Sequence, residues 1–168
     1  TVLTERPNNG PLSSLFKKLK DITSIQKFAL ICGITNGVCF IHKNNFIHSN
    51  LNPTTVYIDD KYHAKICDYI FIPPFRVKKE KVGDDKFVFK YSYGEKQDRS
   101  NFVNDHYIAP EVFEGVEFGQ KADIYSLGQI IFFVLCQKDS EMNDKGEITN
   151  YPTDLGENWR DLINDCIK

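Results

Sequence analysis

The sequence has one tryptophan, one methionine and no C-x-x-C pair among its 168 residues, and its charges nearly balance at a net −2. Each shortage removes a class of function. Five cysteines are an odd number at irregular spacing, which argues against a disulfide framework or a zinc ribbon. Cys32, Cys39, Cys67, Cys136 and Cys166 mostly fall inside apolar runs, and are expected to be small buried hydrophobes of a reducing compartment. The near-neutral charge gives no drive toward nucleic acid or an anionic membrane, and the densest basic run, Lys78-Lys79-Glu80-Lys81, is broken by a glutamate. The most apolar run, Ile130–Cys136, is far too short to cross a bilayer, and the first residues carry no basic-then-apolar leader. A cytoplasmic protein with no nucleic-acid partner and no membrane insertion is expected. His42, His63 and His106 stand at no ligand spacing, so no metal site is expected from them. Repeats and low-complexity tracts are missing too. Large core residues are plentiful, with 13 Phe and 8 Tyr, and a chain of this length is expected to form one domain over residues 1–168.

Along the chain, Pro7-Asn8-Asn9-Gly10 is a turn signal, and a helix is expected from near Pro11 with Leu12, Leu15, Phe16 and Leu19 on one face. Residues 24–43 read as a long helix after a Ser/Thr cap. Ile25, Phe28, Ala29, Cys32 and Cys39 form one apolar stripe, and Ile31, Ile34, Val38 and Ile41 a second, so this helix is expected to be largely buried. Residues 71–106 are polar and lysine-rich without a sustained period, which predicts an irregular lid or insertion. Tyr91, Ser92, Tyr93 and Ser100 are hydroxyls there that a kinase can modify, but exposed hydroxyls are common and unmodified side chains are the simpler expectation. Residues 120–136 are apolar nearly all round and predict a central core helix. A polar connection over 137–156 leads to a last helix, Glu157–Lys168, with Trp159, Leu162, Ile163 and Cys166 expected inward.

The stretch that organises the rest is 46–70, FIHSNLNPTTVYIDDKYHAKICDYI. Two β-prone runs, Thr55–Ile58 and Ala64–Cys67, flank the turn Asp59-Asp60-Lys61 and predict a hairpin. The polar loop His48-Ser49-Asn50-Leu51-Asn52-Pro53 precedes it, and the lone carboxylate Asp68 follows. Together with Tyr107-Ile108-Ala109-Pro110-Glu111 and Asp123-Ile124-Tyr125-Ser126-Leu127-Gly128, this order resembles the eukaryotic protein-kinase family, whose frame is H-R-D-L-K-P-x-N, a hairpin, D-F-G, then A-P-E. The resemblance implies a mainly α fold with one small β-hairpin, the kinase C-terminal (large) lobe from hinge to penultimate helices, with the activation segment at about 68–111. It places Thr4 at the gatekeeper and Glu5 at the hinge. On that register the chain opens at the hinge, so the small lobe with its Gly-rich loop and strand lysine is expected to be absent.

The same register shows what is replaced. Asn50 stands at the catalytic-base position and Asn52 at that of the loop lysine, Thr55 replaces the metal-binding asparagine, and Ser49 replaces the arginine. An amide has no useful basicity, and a lost general base typically costs 10²–10⁴-fold. Asn104 falls at a threonine position, Tyr57 falls beneath the adenine site, and Ile70 replaces the glycine of D-F-G. Glu5 and Asp68 are the residues left that would touch nucleotide, and Asp68 alone would touch metal, a weak magnesium site. His48, Asp123 and Glu111 keep structural positions, with Asp123 implied to hold the loop backbone. Glu111 is expected to lack the arginine it pairs with in the family.

Kept scaffold and lost chemistry imply a catalytically inactive pseudokinase fragment that works by binding other proteins, with no cofactor expected. The competing possibility is an ATP-dependent protein kinase domain of weak activity, using Mg-ATP once a separate small-lobe segment joins it as partner. A remnant without a stable fold is the third, through exposure of the apolar cleft face.

Overall fold

Pro7-Asn8-Asn9-Gly10 does turn the chain, with Gly10 at φ 77°, and delivers strand β1 (Gly10–Pro11) and then helix α1 (Leu12–Lys18). Leu12 and Leu15 point into the core. The computed structural model describes residues 7–18, 22–67, 76–81 and 87–168; Thr4, Glu5, Leu19, Asp68 and Ile70 lie outside them. Helix α2 (Ser24–Lys43) starts from a full capping box. Thr23 accepts from the Gln26 N–H at 3.2 Å, and the Gln26 side chain accepts from the Thr23 N–H at 3.0 Å.

The expected hairpin forms from β2 (Val56–Ile58) and β3 (Ala64–Ile66) in antiparallel register, Val56 opposite Ile66 and Ile58 opposite Ala64. Asp59 fixes its turn by accepting from the N–H groups of Lys61 (2.9 Å) and His63 (2.8 Å). Gly10 and Pro11 add to the other edge of β2, so the hairpin belongs to a three-stranded sheet. A second, unexpected hairpin pairs β4 (Arg76–Lys81) with β5 (Phe87–Ser92). The expectation of an irregular 71–106 was wrong there. Tyr91 is buried beside Phe118, so it is not among the exposed hydroxyls.

Two 3₁₀ turns (Arg99–Asn101 and Asp105–Tyr107) and the single-turn helix α3 (Pro110–Phe113) lead into α4 (Gln120–Cys136). As its all-round apolarity predicts, α4 runs through the centre. Ile130, Phe132 and Val134 are fully buried with Leu30, Ile34 and Val38 of α2 in one core. Ala122 and Tyr125 join a second core under Tyr91, Phe113 and Phe118. Helix α5 (Glu157–Ile167) lies on α4 where Gly128 leaves room; a Cβ there would stand 2.6 Å from the Cys166 Cβ. Ile163 is buried, whereas Leu162 is half exposed, against expectation.

Helix α2 is buried on one side only. Leu30, Ile31, Ile34 and Val38 are inward, but Ile25, Phe28, Ala29, Cys32 and Cys39 face out. The stripe assigned to the core is therefore surface, and of the five cysteines expected to be buried, Cys32 and Cys39 are exposed and Cys67, Cys136 and Cys166 only half-buried. By length and composition α2 could cross a membrane, the one such helix among the described residues; here it packs on α4 and β3.

Gly33 and Gly37 bring β3 close to α2. A Cβ on Gly33 would meet the Ala64 Cβ at an ordinary 3.4 Å, but one on Gly37 would lie 2.7 Å from the Ile66 Cδ1. Gly33→Ala is expected to be neutral or to gain up to about 1 kcal/mol from helix propensity. Gly37→Ala should lose about 1–3 kcal/mol by overpacking, relieved when Ile66→Val removes the δ-methyl. Urea midpoints of the three variants check this, and equal effects at both glycines would refute the close approach.

Candidate functional site

The polar loop is held from behind by one carboxylate. Asn44 and Asn45 end α2, with Asn45 in the left-handed region at φ 62°, and Ile47 anchors the next step in the second core. Asp123, 1% exposed on α4, then accepts from the backbone N–H of His48 (2.8 Å, Oδ2) and of Ser49 (2.8 Å, Oδ1). Its third partner is the His42 Nε2 at 2.8 Å, from the last turn of α2. Three donors satisfy a carboxylate that burial would otherwise penalise. Spacing along the sequence left His42 without a partner; a histidine in the last helical turn before the loop was the available signal. Ser49 sits at φ 61°, a conformation a non-glycine residue keeps only when its surroundings hold it.

His48 is buried and ties the loop to the exit of β3. Its Nδ1 accepts from the Asn50 N–H at 3.3 Å, so the proton sits on Nε2, which donates to the Cys67 carbonyl at 2.8 Å. The next residue is Asp68, which like Glu5 lies outside the described residues.

Asn52 is 3% exposed and spends its whole side chain inside the loop. Its Nδ2 donates to the Asn50 carbonyl (3.0 Å) and to the Asn50 Oδ1 (3.1 Å). Its Oδ1 accepts from the Thr54 N–H (2.8 Å), the Thr54 hydroxyl (2.5 Å) and, across a gap, the Asn104 Nδ2 (3.4 Å). The Thr55 hydroxyl is consumed in the same way, donating to the Asn50 carbonyl (3.1 Å) and accepting from the Asn52 N–H (3.1 Å). Asn50 and Asn52 are thus each other's partners.

In front of this loop lies a cavity of about 640 Å³, closed on its far side by the segment around Tyr93, Glu95, Val103 and Asn104. Glu95 and Tyr93 are its only ionisable lining groups among the described residues, and burial pushes the Tyr93 phenol up to about 12. The cavity therefore presents amides, hydroxyls and one carboxylate, with no cation among the described residues. Nor is any group of three His, Cys, Asp or Glu among them placed to hold a metal. No described residue that lines the cavity would neutralise phosphate oxygens. A larger hollow of about 1230 Å³, between the turn at 142–148 and α5, contains none of the loop residues.

The far wall rests on α3 and α4. Ser126 of α4 donates to the Tyr107 carbonyl at 2.6 Å, a support that motif spacing did not reveal, and the Tyr107 hydroxyl donates to Asp139 at 2.5 Å. Glu111 is partly buried on α3 and makes no ion pair among the described residues. Gln97 donates from its backbone to the Phe113 carbonyl at 2.7 Å, and the Arg99 guanidinium lies 4.3 Å over the Phe113 ring.

The chain belongs to the protein kinase domain family, whose model matches residues 1–156. It is 24% identical over 177 residues to a probable serine/threonine-protein kinase of Dictyostelium discoideum, covering 99% of this chain and 18% of that protein. Over 140 residues it is 30% identical to serine/threonine protein kinase OSK3 of Oryza sativa subsp. indica, covering 77% of this chain and 24% of that protein. With cysteine-rich receptor-like protein kinase 27 of Arabidopsis thaliana the identity is 24% over 145 residues, covering 84% and 20%. The chain thus spans less than a quarter of the length of each of these relatives.

Proposed function

We propose that this chain is the large-lobe part of a protein kinase domain that has given up phosphoryl transfer and acts by binding other proteins. The observation that carries the proposal is the buried Asn52 amide, wholly engaged with Asn50, Thr54 and Asn104 where an active site needs a free base beside a free cation. Phosphoryl transfer depends on positioning and charge neutralisation, and groups that act as a unit fail together. The Asp123 clamp meanwhile maintains the loop's shape, which suits a surface used for recognition. Other proteins are its partners in this proposal, and the cytoplasm its location.

The test is thermal unfolding with and without millimolar MgATP. Ligand at 100 times its Kd stabilises the folded state by about 2.7 kcal/mol, a rise of about 5–10 °C at this size. The expected rise is below about 1 °C, that of a ligand well under its Kd. A larger one that disappears in Asp68→Ala, joined by radiolabel transfer to a protein substrate, would establish a working nucleotide site and overturn the proposal.

A further inference from the structure

The single methionine of the chain stands where two buried hydrogen-bond donors meet. Tyr125 and Gln129 are one turn apart on the same side of α4, and are 9% and 1% exposed. The Tyr125 hydroxyl donates to the Met142 Sδ at 3.4 Å, and the Gln129 Nε2 donates to the same sulfur at 3.2 Å. The Gln129 amide is turned that way because its Oε1 accepts from the Ser140 hydroxyl. Burial pushes the Tyr125 phenol up, so it keeps the proton it donates. Two donors buried to this degree are spent on a thioether, one of the weakest acceptors among side chains.

We infer that Met142 is an oxidation site, at which a peroxide converts the thioether to a sulfoxide whose oxygen Tyr125 and Gln129 hold. In an apolar core a sulfoxide is disruptive, because its oxygen finds no donor there. Here two donors already point at the atom that carries it. Sulfur supplies a lone pair to one peroxide oxygen, and the S–O bond forms as the O–O bond breaks. Hydroxide leaves and takes the proton of the transferred oxygen, becoming water. Sulfur is oxidised by the electron pair that the peroxide gains. The oxygen needs room between sulfur and the donors, and the three rotatable bonds of the side chain let sulfur draw back. Met142 is half-buried and residues 143–147 beside it are exposed, so a small peroxide reaches the sulfur by local opening of this turn. The contacts that hold the oxygen lie among residues 125–142 and require no exposed face.

Oxidation therefore tightens a joint. Met142 pairs with Ile148 in the connection that follows α4, where Ser140 also holds Gln129 and Asp139 holds the Tyr107 hydroxyl. The sulfoxide adds a strong bond between α4 and this connection, and so steadies Tyr107 beneath the far wall of the 640 Å³ cavity. The inference is independent of whether the polar loop transfers phosphate.

Hydrogen peroxide on the folded chain should place one oxygen on Met142 in tandem mass spectra. The same treatment of Met142→Leu reports the contribution of the cysteines, and its shift in urea midpoint is subtracted. The oxidised chain should then have a midpoint no lower than the untreated one. In Tyr125→Phe the sulfoxide should instead lower the folding equilibrium constant about tenfold or more, since one strong bond is missing. Hydrogen exchange over residues 141–150, a reading that needs no variant, should slow on oxidation. A lowered midpoint in the unsubstituted chain, or equal responses there and in Tyr125→Phe, would overturn the inference. So would faster exchange after oxidation, or a Met142 that stays reduced in the folded chain at a dose that oxidises it in urea.

Discussion

Asp123→Ala should remove about 3–5 kcal/mol of stability, among the largest effects available to a single side chain here. Deleting a buried carboxylate strands every group that pointed at it. In this fold those groups are the N–H groups of His48 and Ser49, both in the loop, and His42 at its entrance. Each unsatisfied buried donor costs about 1–3 kcal/mol, and a domain has only about 5–15 kcal/mol in total. Asp123→Asn should lose less, because an amide oxygen still accepts while its NH₂ faces a donor. His42→Gln should be milder still, since it leaves both loop bonds in place. Urea unfolding of the three variants gives the order. If Asp123→Ala proves no worse than His42→Gln, the carboxylate is not the clamp that sets the loop.

Gly115→Ala should be comparably severe for a different reason. Gly115 holds φ 72°, and an added Cβ would stand 2.4 Å from the Glu95 carbonyl carbon and 2.5 Å from its oxygen. The left-handed backbone alone costs an alanine about 1–2 kcal/mol. The collision is with main chain, which no rotamer change relieves, so the segment around Glu95 must lift. It would take with it the Gln97–Phe113 bond and the Arg99–Phe113 stacking, and with them the far wall of the 640 Å³ cavity. A total of about 3–4 kcal/mol is expected, with faster hydrogen exchange at Gln97. Gly146 supplies the control. It has φ 78°, and a Cβ added there would meet nothing within 4 Å, so Gly146→Ala should show the backbone cost alone. Equal losses at the two glycines would remove the collision from the account.

The elements that could be read from sequence are those with one dominant signal. Helix α4 is apolar all round, and only a central position accommodates such a helix. The β2–β3 hairpin is marked by Asp59, whose side chain closes the turn locally. The second hairpin was missed although Phe87, Phe89 and Tyr91 alternate in the manner of a strand, because the lysines of β4 hid its partner. On α2 two apolar stripes compete, and periodicity cannot tell which one faces inward. The deciding marks were Gly33 and Gly37, which have room for β3 and so lie toward the packed side. At the site, residue types put amides where the family resemblance implies a base and a cation, whereas the mutual bonding of Asn50 and Asn52 depends on how the loop folds back on itself. The Asp123–His42 pair joins residues 81 positions apart, a distance that no local pattern bridges.

That separation has a consequence in time. The carboxylate of Asp123 is 75 and 74 residues downstream of the two loop amides it accepts from. A chain made at about 5–20 residues per second brings out the loop roughly 4–15 s before its anchor. Until α4 docks, no residue on α4 holds Ser49 in its left-handed conformation, and the inward face of α2 has no α4 to cover it. The loop therefore takes its final shape late, in the same step that closes the core, and contacts of such long range are slow to form.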